Sequence, residues 1–376
     1  MKMNGICIQM LPAGSGDCIY IEFPDANFRM LIDGGYVKTY QDFLKDFLLK
    51  LKNDEKRLNL IVVTHVDDDH INGIKALLEE NGTSENPNII GIDEIWFNGL
   101  AQCMTGRESE QEMDLQVKNL LTSMIPAKLT INKGCRQENI SYTKGSDLTA
   151  LIKSGEYAWN VTVENKIVNE NQVVIFGDIK ISILNPNFDT LIKMGLKWKR
   201  ALQNRIRSIQ ITENTLYDAA FEGYFLKQEI DVDVYRKNIS YSEQETNWIE
   251  KYSKCEKKEV VDSKLTNCSS IALLIQYKRL NLLFPGDCPI QYLEQKLPDQ
   301  IDVIKLPHHG SEKNISREFI KKKKVNYYLL STDGKKHNHP GKTVIANIIK
   351  NADETTALIK NYEIDWLKGV GAVDEL

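Results

Sequence analysis

Residues 61–73 read IVVTHVDDDHING. An apolar run from Leu58 to Val63 stops at a loop holding His65, Asp67, Asp69 and His70, and helical spacing begins near Ile71. A buried strand that delivers two imidazoles and several carboxylates into one tight turn suits a divalent metal, because hard oxygens and borderline nitrogens are then offered together. Asp67 to Asp69 would also serve as acids at a helix N-terminus, but capping leaves a histidine on each side unexplained. The chain has six histidines, and the other four form two pairs, His308 with His309 and His337 with His339. Three clusters without a stray histidine argue for one shared site.

The residues Thr64–Gly73 follow T-H-x-D-x-D-H-x-x-G. This resembles the metal-binding signature of the metallo-β-lactamase superfamily, in the variant where the second histidine of H-x-H-x-D-H is an aspartate, here Asp67. LIDGG at Leu31–Gly35, LLFPGD at Leu282–Asp287 and KLPHHGS at Lys305–Ser311 follow in order. With GDC at 16–18, TNCSSIALLI at 266–275 and NHP at 338–340, the set is similar to the hydrolase domain of the ComEC DNA-uptake protein and to its stand-alone bacterial relatives. The resemblance implies an α/β fold, the αββα sandwich. It would form a single domain over residues 1–376, with two mainly helical insertions at about 100–158 and 188–264, where the motifs lapse.

It also implies two divalent ions, zinc or manganese. His65 and Asp67 would hold one, Asp69, His70 and His309 the other, and Asp287 would bridge them. Asp69 would share in catalysis, and Asp33 and Thr64 would support the histidine loop; a turn aspartate before two glycines is the plainer reading of Asp33. An aspartate in place of an imidazole hardens the first position, which brings manganese into competition with zinc. Many superfamily members supply a third histidine there, yet no histidine lies between residues 71 and 307. Asn185 is the best positional substitute, or simply a turn residue before Pro186. His309 is the expected ligand and His308 a substrate or phosphate contact, although neighbours in a loop can exchange those roles. His339 is a candidate proton donor to a leaving group, and Ser311 a donor to phosphate.

Composition narrows the partners. A net charge of -4 gives no general attraction to nucleic acid, so any polyanion site must be local. Ile192–Arg207 is such a stretch, with Lys193, Lys197, Lys199, Arg200, Arg205 and Arg207 around Trp198. Lys199 and Arg200 are candidate substrate contacts; a solvated helix face, or pairing with the acidic stretch Glu213–Glu250, explains the same residues. No apolar run approaches the roughly 18–20 residues of a membrane span, and the N-terminal residues have no signal-like core, so a cytoplasmic protein without membrane contact is expected. The seven cysteines include no C-x-x-C pair and read as free thiols. The expected function is a phosphodiesterase or nuclease acting on DNA, RNA or nucleotides. A hydrolase of esters, lactones or thioesters, or a degenerate binding subunit, is the alternative. The helical insertions would meet any protein partner, and the ComEC-like resemblance suggests a place in bacterial defence.

The elements that must position these residues are mostly strands. Ile6–Leu11 and Cys18–Phe23 predict a hairpin around Pro12–Asp17, followed by strands at Phe28–Ile32 and Ile90–Asn98. Val173–Leu184 predicts a second hairpin, and Ser270–Gln276, Leu280–Phe284, Ile301–Leu306 and Val325–Leu330 further strands. Helical spacing marks Tyr40–Leu51, Glu108–Met124, Gly145–Ser154, Arg317–Lys324 and Lys342–Asn351, and a strand is expected from Trp159.

Overall fold

The computed structural model describes residues 1–104, 115–125, 147–206, 210–211, 214–233, 248–254, 259–370 and 372–373. Six strands form the first sheet in chain order: β1 (Lys2–Met3), β2 (Ile6–Met10), β3 (Ile19–Phe23), β4 (Phe28–Ile32), β5 (Leu60–Val62) and β6 (Ile95–Trp96). The first four are antiparallel, whereas β4, β5 and β6 run parallel. The second sheet has eight strands: β7 (Gln172–Phe176), β8 (Ile179–Asn185), β9 (Ala272–Tyr277), β10 (Leu280–Phe284), β11 (Gln300–Lys305), β12 (Lys324–Leu330), β13 (Ala357–Lys360) and β14 (Ala372–Val373). From β10 to β14 they are parallel.

Alternation along each strand builds the layers. Ile19, Ile21 and Phe23 of β3 join Met30 and Ile32 of β4 and Leu60 and Val62 of β5 in a core shared with Ile181, Ile183, Leu273 and Ile275 of the second sheet. Their neighbours Tyr20, Leu31 and Ile61 point the other way, into a core with helix residues Leu44, Leu48, Ile74 and Leu77. On the far side, Leu283, Ile304 and Leu330 pack against Phe319, Val344 and Ile348. The expected αββα sandwich with helical insertions is therefore the observed fold.

The helix Asp68–Asn81 sits unusually close to the loop after β4. A side chain on Gly73 would begin 1.8 Å from the Gly34 carbonyl oxygen, and Gly34 N donates to His70 O while Gly73 N donates to Gly35 O. Two glycines thus let the helix N-terminus lie directly on the loop that carries Asp33.

Some expected elements change. The strand at Ile90–Asn98 shortens to Ile95–Trp96, because Phe97 N bonds the Asn160 side chain and Asn98 bonds Val168 at both ends of its amide. Trp159 makes one parallel bridge to Ile95 rather than starting a strand. Of the helix expected at Glu108–Met124, residues 108–114 lie outside the described set, and the rest is the helix Leu115–Met124. Arg207, Cys135 and Cys255 also lie outside it. Among the described residues the five cysteines are free thiols, and no helix is long and apolar enough to cross a membrane.

The two insertions pack on each other. The helix Leu115–Met124 and the helix Leu148–Ser154 both lie against the helix Thr215–Asp233. Glu222 is buried where they meet, and its carboxylate accepts from the amides of Leu148 (2.9 Å) and Thr149 (3.0 Å). Asp147 caps the same helix, accepting from Ala150 N at 2.8 Å. Burial and then the Glu222 carboxylate push the Asp147 carboxyl up to about 8, against the Ala150 amide hydrogen bond and the weaker pull of Lys75. A raised carboxyl pKa means that the folded chain holds this proton more tightly than the unfolded chain. Its stabilising contribution is full below about pH 4 and is lost as pH rises through about 8. Thermal unfolding should therefore show stability falling between pH 5 and 8, and Asp147→Asn, which keeps the cap, should flatten that slope; an unchanged slope would contradict the assignment.

Candidate metal centre

The site lies where the C-terminal ends of parallel strands from both sheets meet. Asp33 follows β4 with φ +58°, a left-handed conformation that aspartate tolerates. Its Oδ1 accepts from Thr64 N at 2.7 Å, and its Oδ2 accepts from Thr64 Oγ1 and faces His70 Nδ1, both at 2.8 Å. His65 Nδ1 lies 2.9 Å from Thr64 Oγ1 and 3.2 Å from Ser270 Oγ, and His309 Nδ1 donates to Ser331 O at 2.8 Å. Each ring is thereby fixed through Nδ1, which leaves Nε2 as the forward atom. The Nε2 atoms of His65, His70 and His309 are buried without a hydrogen-bond partner among the described residues.

Those nitrogens converge on Asp287, which β10 delivers. Its Oδ2 lies 3.5 Å from His70 Nε2, 3.7 Å from His308 Nε2, 3.9 Å from His65 Nε2 and 4.0 Å from His309 Nε2. Burial opposes charge on Asp287, but His308, His70, His309 and Lys305 hold its carboxyl well below the usual range. Asp69 spans the second position, with Oδ1 3.7 Å from His70 Nε2 and Oδ2 3.5 Å from His309 Nε2. In the sets His65–His70–Asp287 and Asp69–His70–His309, the donor atoms lie within 4.8 Å of one another. The Nε2–carboxylate spacings are long for hydrogen bonds and short enough for shared ligands of a cation. The residues therefore fit a divalent metal.

The remaining sequence-identified residues fall in several places. Asp67 Oδ2 is 3.4 Å from His65 Nε2, and it accepts from Lys264 Nζ at 2.7 Å and Thr266 Oγ1 at 3.2 Å. His308 Nδ1 faces Asp262 Oδ2 (3.3 Å), Asn267 Nδ2 and Asn314 Oδ1 (both 3.2 Å). His339 stacks edge-on to His308 with ring centroids 4.9 Å apart, and burial, then His308, His309 and His337, lower its pKa well below the ordinary value. His337 is exposed, 6.0 Å from the His339 ring. Ser311 is buried, and its Oγ accepts from Lys313 N. Asn185 uses its amide nitrogen to hold the carbonyls of Cys268 and Ser270, which clamps the loop before β9. Lys199 is half-buried and Arg200 exposed on the helix Phe188–Gln203. Trp198 of the same helix is buried against Tyr217 and Phe221, so the interleaved aromatic of the basic stretch serves the core and cannot stack on a base.

Sequence reasoning did not single out Asp17, Lys305, Asp262 or Lys264. Asp17 pairs through Oδ2 with Lys305 Nζ, and both are buried beside the centre. A side chain on Gly16 would start 2.2 Å from the Asp69 carbonyl oxygen, so the GDC glycine is what admits this loop. The GDC and KLPHHGS motifs carried that signal. Nothing in the local sequence marks Asp262 or Lys264.

The sequence profile of the Metallo-beta-lactamase superfamily matches residues 11–86, which include Asp33 and the whole histidine loop. Over that N-terminal stretch the chain is similar to the metallo-β-lactamase superfamily. Members of this superfamily are generally metal-dependent hydrolases. No curated protein sequence matches the chain. Solved structures similar to it include a CmlA β-hydroxylase variant, at 9% identity and TM-score 0.35 over 99% of this chain and 53% of that one. Another is the metallo-β-lactamase fold protein YhfI from Bacillus subtilis, at 9% identity and TM-score 0.36 over 96% and 98% of the two chains. The chain thus spans about half the length of the CmlA protein.

Asp33 orients His70 without itself pointing at the centre. Asp33→Ala should weaken metal binding by about 10–100-fold, as loss of a partner behind a ligand does. Competition against a chromogenic chelator measures it, and wild-type affinity in the variant would contradict the role.

Proposed function

We propose that the chain is a metal-dependent hydrolase of phosphodiesters, with a nucleic acid or nucleotide as substrate, of the kind implied by its ComEC-like motifs. The observation that carries the metal-dependent part is the convergence of four imidazole Nε2 atoms on one oxygen of Asp287. Asp69, His70, His309 and Asp287 would hold an ion, with His65 and Asp67 beside them. Bound there, zinc or manganese would supply a nucleophilic water near neutral pH and positive charge for the phosphoryl oxygens.

The chain's own groups do the rest. Asp262 holds His308 through Nδ1 and so aims Nε2 at the centre. His308 would hand a proton to the departing oxygen, and His339 beside it would contact a phosphoryl oxygen. Lys193, Lys197 and Arg200 line a surface cavity of about 360 Å³ with Tyr224, which supports contact with a polyanion away from the reacting bond.

Two measurements test this reading. Asp69→Ala and Asp287→Ala should lose bound metal, and with it the cleavage of single-stranded DNA and of bis(p-nitrophenyl) phosphate. Turnover of lactones or thioesters without phosphodiester cleavage would move the proposal to the other bond class. Asp262→Asn should lower kcat by about 10²-fold or more while metal content stays at the wild-type level, because it removes the carboxylate behind the proton donor. Metal loss in that variant would make His308 a ligand instead.

A further inference from the structure

The two sides of the centre are unequally equipped. Around Asp69, the His70 and His309 Nε2 atoms face carboxylate oxygens at 3.5–3.7 Å, with the Asp287 carboxylate adjoining. Around Asp67, a cation is already supplied by the protein: Lys264 Nζ lies 2.7 Å from Asp67 Oδ2, and Thr266 Oγ1 donates to the same oxygen. Asp67 is buried, whereas the Lys264 side chain is 37% exposed, so the lysine is the solvent-facing partner of the pair. Its backbone is held as well, since Lys264 N donates to Asp262 Oδ1 at 2.9 Å and Asp262 N to Lys313 O. The same side is short of imidazoles. No histidine lies between residues 71 and 307, and the Asn185 amide nitrogen is committed to two backbone carbonyls.

An ammonium and a divalent ion cannot both sit against Asp67 Oδ2 without strong like-charge repulsion at low effective dielectric. At that oxygen one displaces the other. Lysine is a compact point charge on a flexible stem, able to occupy a cation position or to swing out of it.

We propose that Lys264 fills the first metal position in cis, so that the protein holds one divalent ion tightly, among Asp69, His70, His309 and Asp287, and takes a second only by displacing the lysine. The proposal rests on the metal-dependent reading above and deepens it. In this arrangement, the fixed charge that a second ion would present to an anionic substrate comes from the end of the second insertion.

Metal-free full-length protein titrated with Mn²⁺ alone tests it, with ions counted after desalting and the spins read by electron paramagnetic resonance. The wild type should retain one ion and show the six-line spectrum of isolated Mn²⁺. Lys264→Met should bind the second ion about ten-fold more tightly or better, and show a spin-coupled pair. Asp67→Asn should still retain one ion with the wild-type spectrum, and the wild-type count decides the matter if Lys264→Met does not fold. Two equally tight, spin-coupled ions in the wild type would overturn the proposal while leaving the metal-dependent reading intact, as would an unchanged second affinity in Lys264→Met. No retained ion in any of the three proteins would overturn both.

Discussion

A buried carboxylate surrounded by imidazoles is the constraint on which this structure turns. Asp287, and the Nε2 atoms of His65, His70 and His309 that face it without a hydrogen-bond partner among the described residues, would be costly to bury in an apolar core. The fold gathers them at a seam: β4 and β5 bring Asp33, Thr64 and the histidine loop from one sheet, while β10, β11 and β12 bring Asp287, His308, His309 and Ser331 from the other. The Ile271 amide on the Thr64 carbonyl ties the two sheets together at that point. A divalent cation would compensate the charge, and the groups behind the rings fix which nitrogen would meet it.

What could be read in advance divides along physical lines. The histidine loop and the LIDGG turn are contiguous, so spacing alone carried the strand, the turn and the helix start. Hairpins were legible for the same reason: alternating side chains in Ile6–Leu11 or Val173–Leu184 must face one core. The strand at Ile90–Asn98 was overextended because its apolar run continues past the point where side-chain amides of Asn98 and Asn160 take over the backbone hydrogen bonds. In the basic stretch, composition suggested an aromatic among cations. The helical period instead places Trp198 with Leu191, Met194 and Leu202 on the buried face, and Lys193, Lys197 and Arg200 on the other. Pairs such as Asp67 with Lys264, or His308 with Asp262, join distant positions through the fold, and no local spacing encodes them.

The insertions are more than decoration on the sandwich. Helices from both share a layer around Glu222 and Trp198, and the end of the second returns to the centre with Asp262 and Lys264. The helix Trp248–Ser253 instead lies on the opposite face, against the helix Lys342–Asn351, with Trp248 edge-on to Trp366. The second insertion therefore reaches both outer layers and the histidine–aspartate cluster.

The measurement that bears most directly on this account is anomalous diffraction from crystals grown with Mn²⁺ or Zn²⁺, which locates the ions without reference to any reaction. The account predicts a peak in ligand contact with His70 Nε2, His309 Nε2, Asp69 and Asp287. A protein that crystallises in the same fold with no anomalous peak at that cluster, under metal concentrations that label other carboxylates, would contradict it.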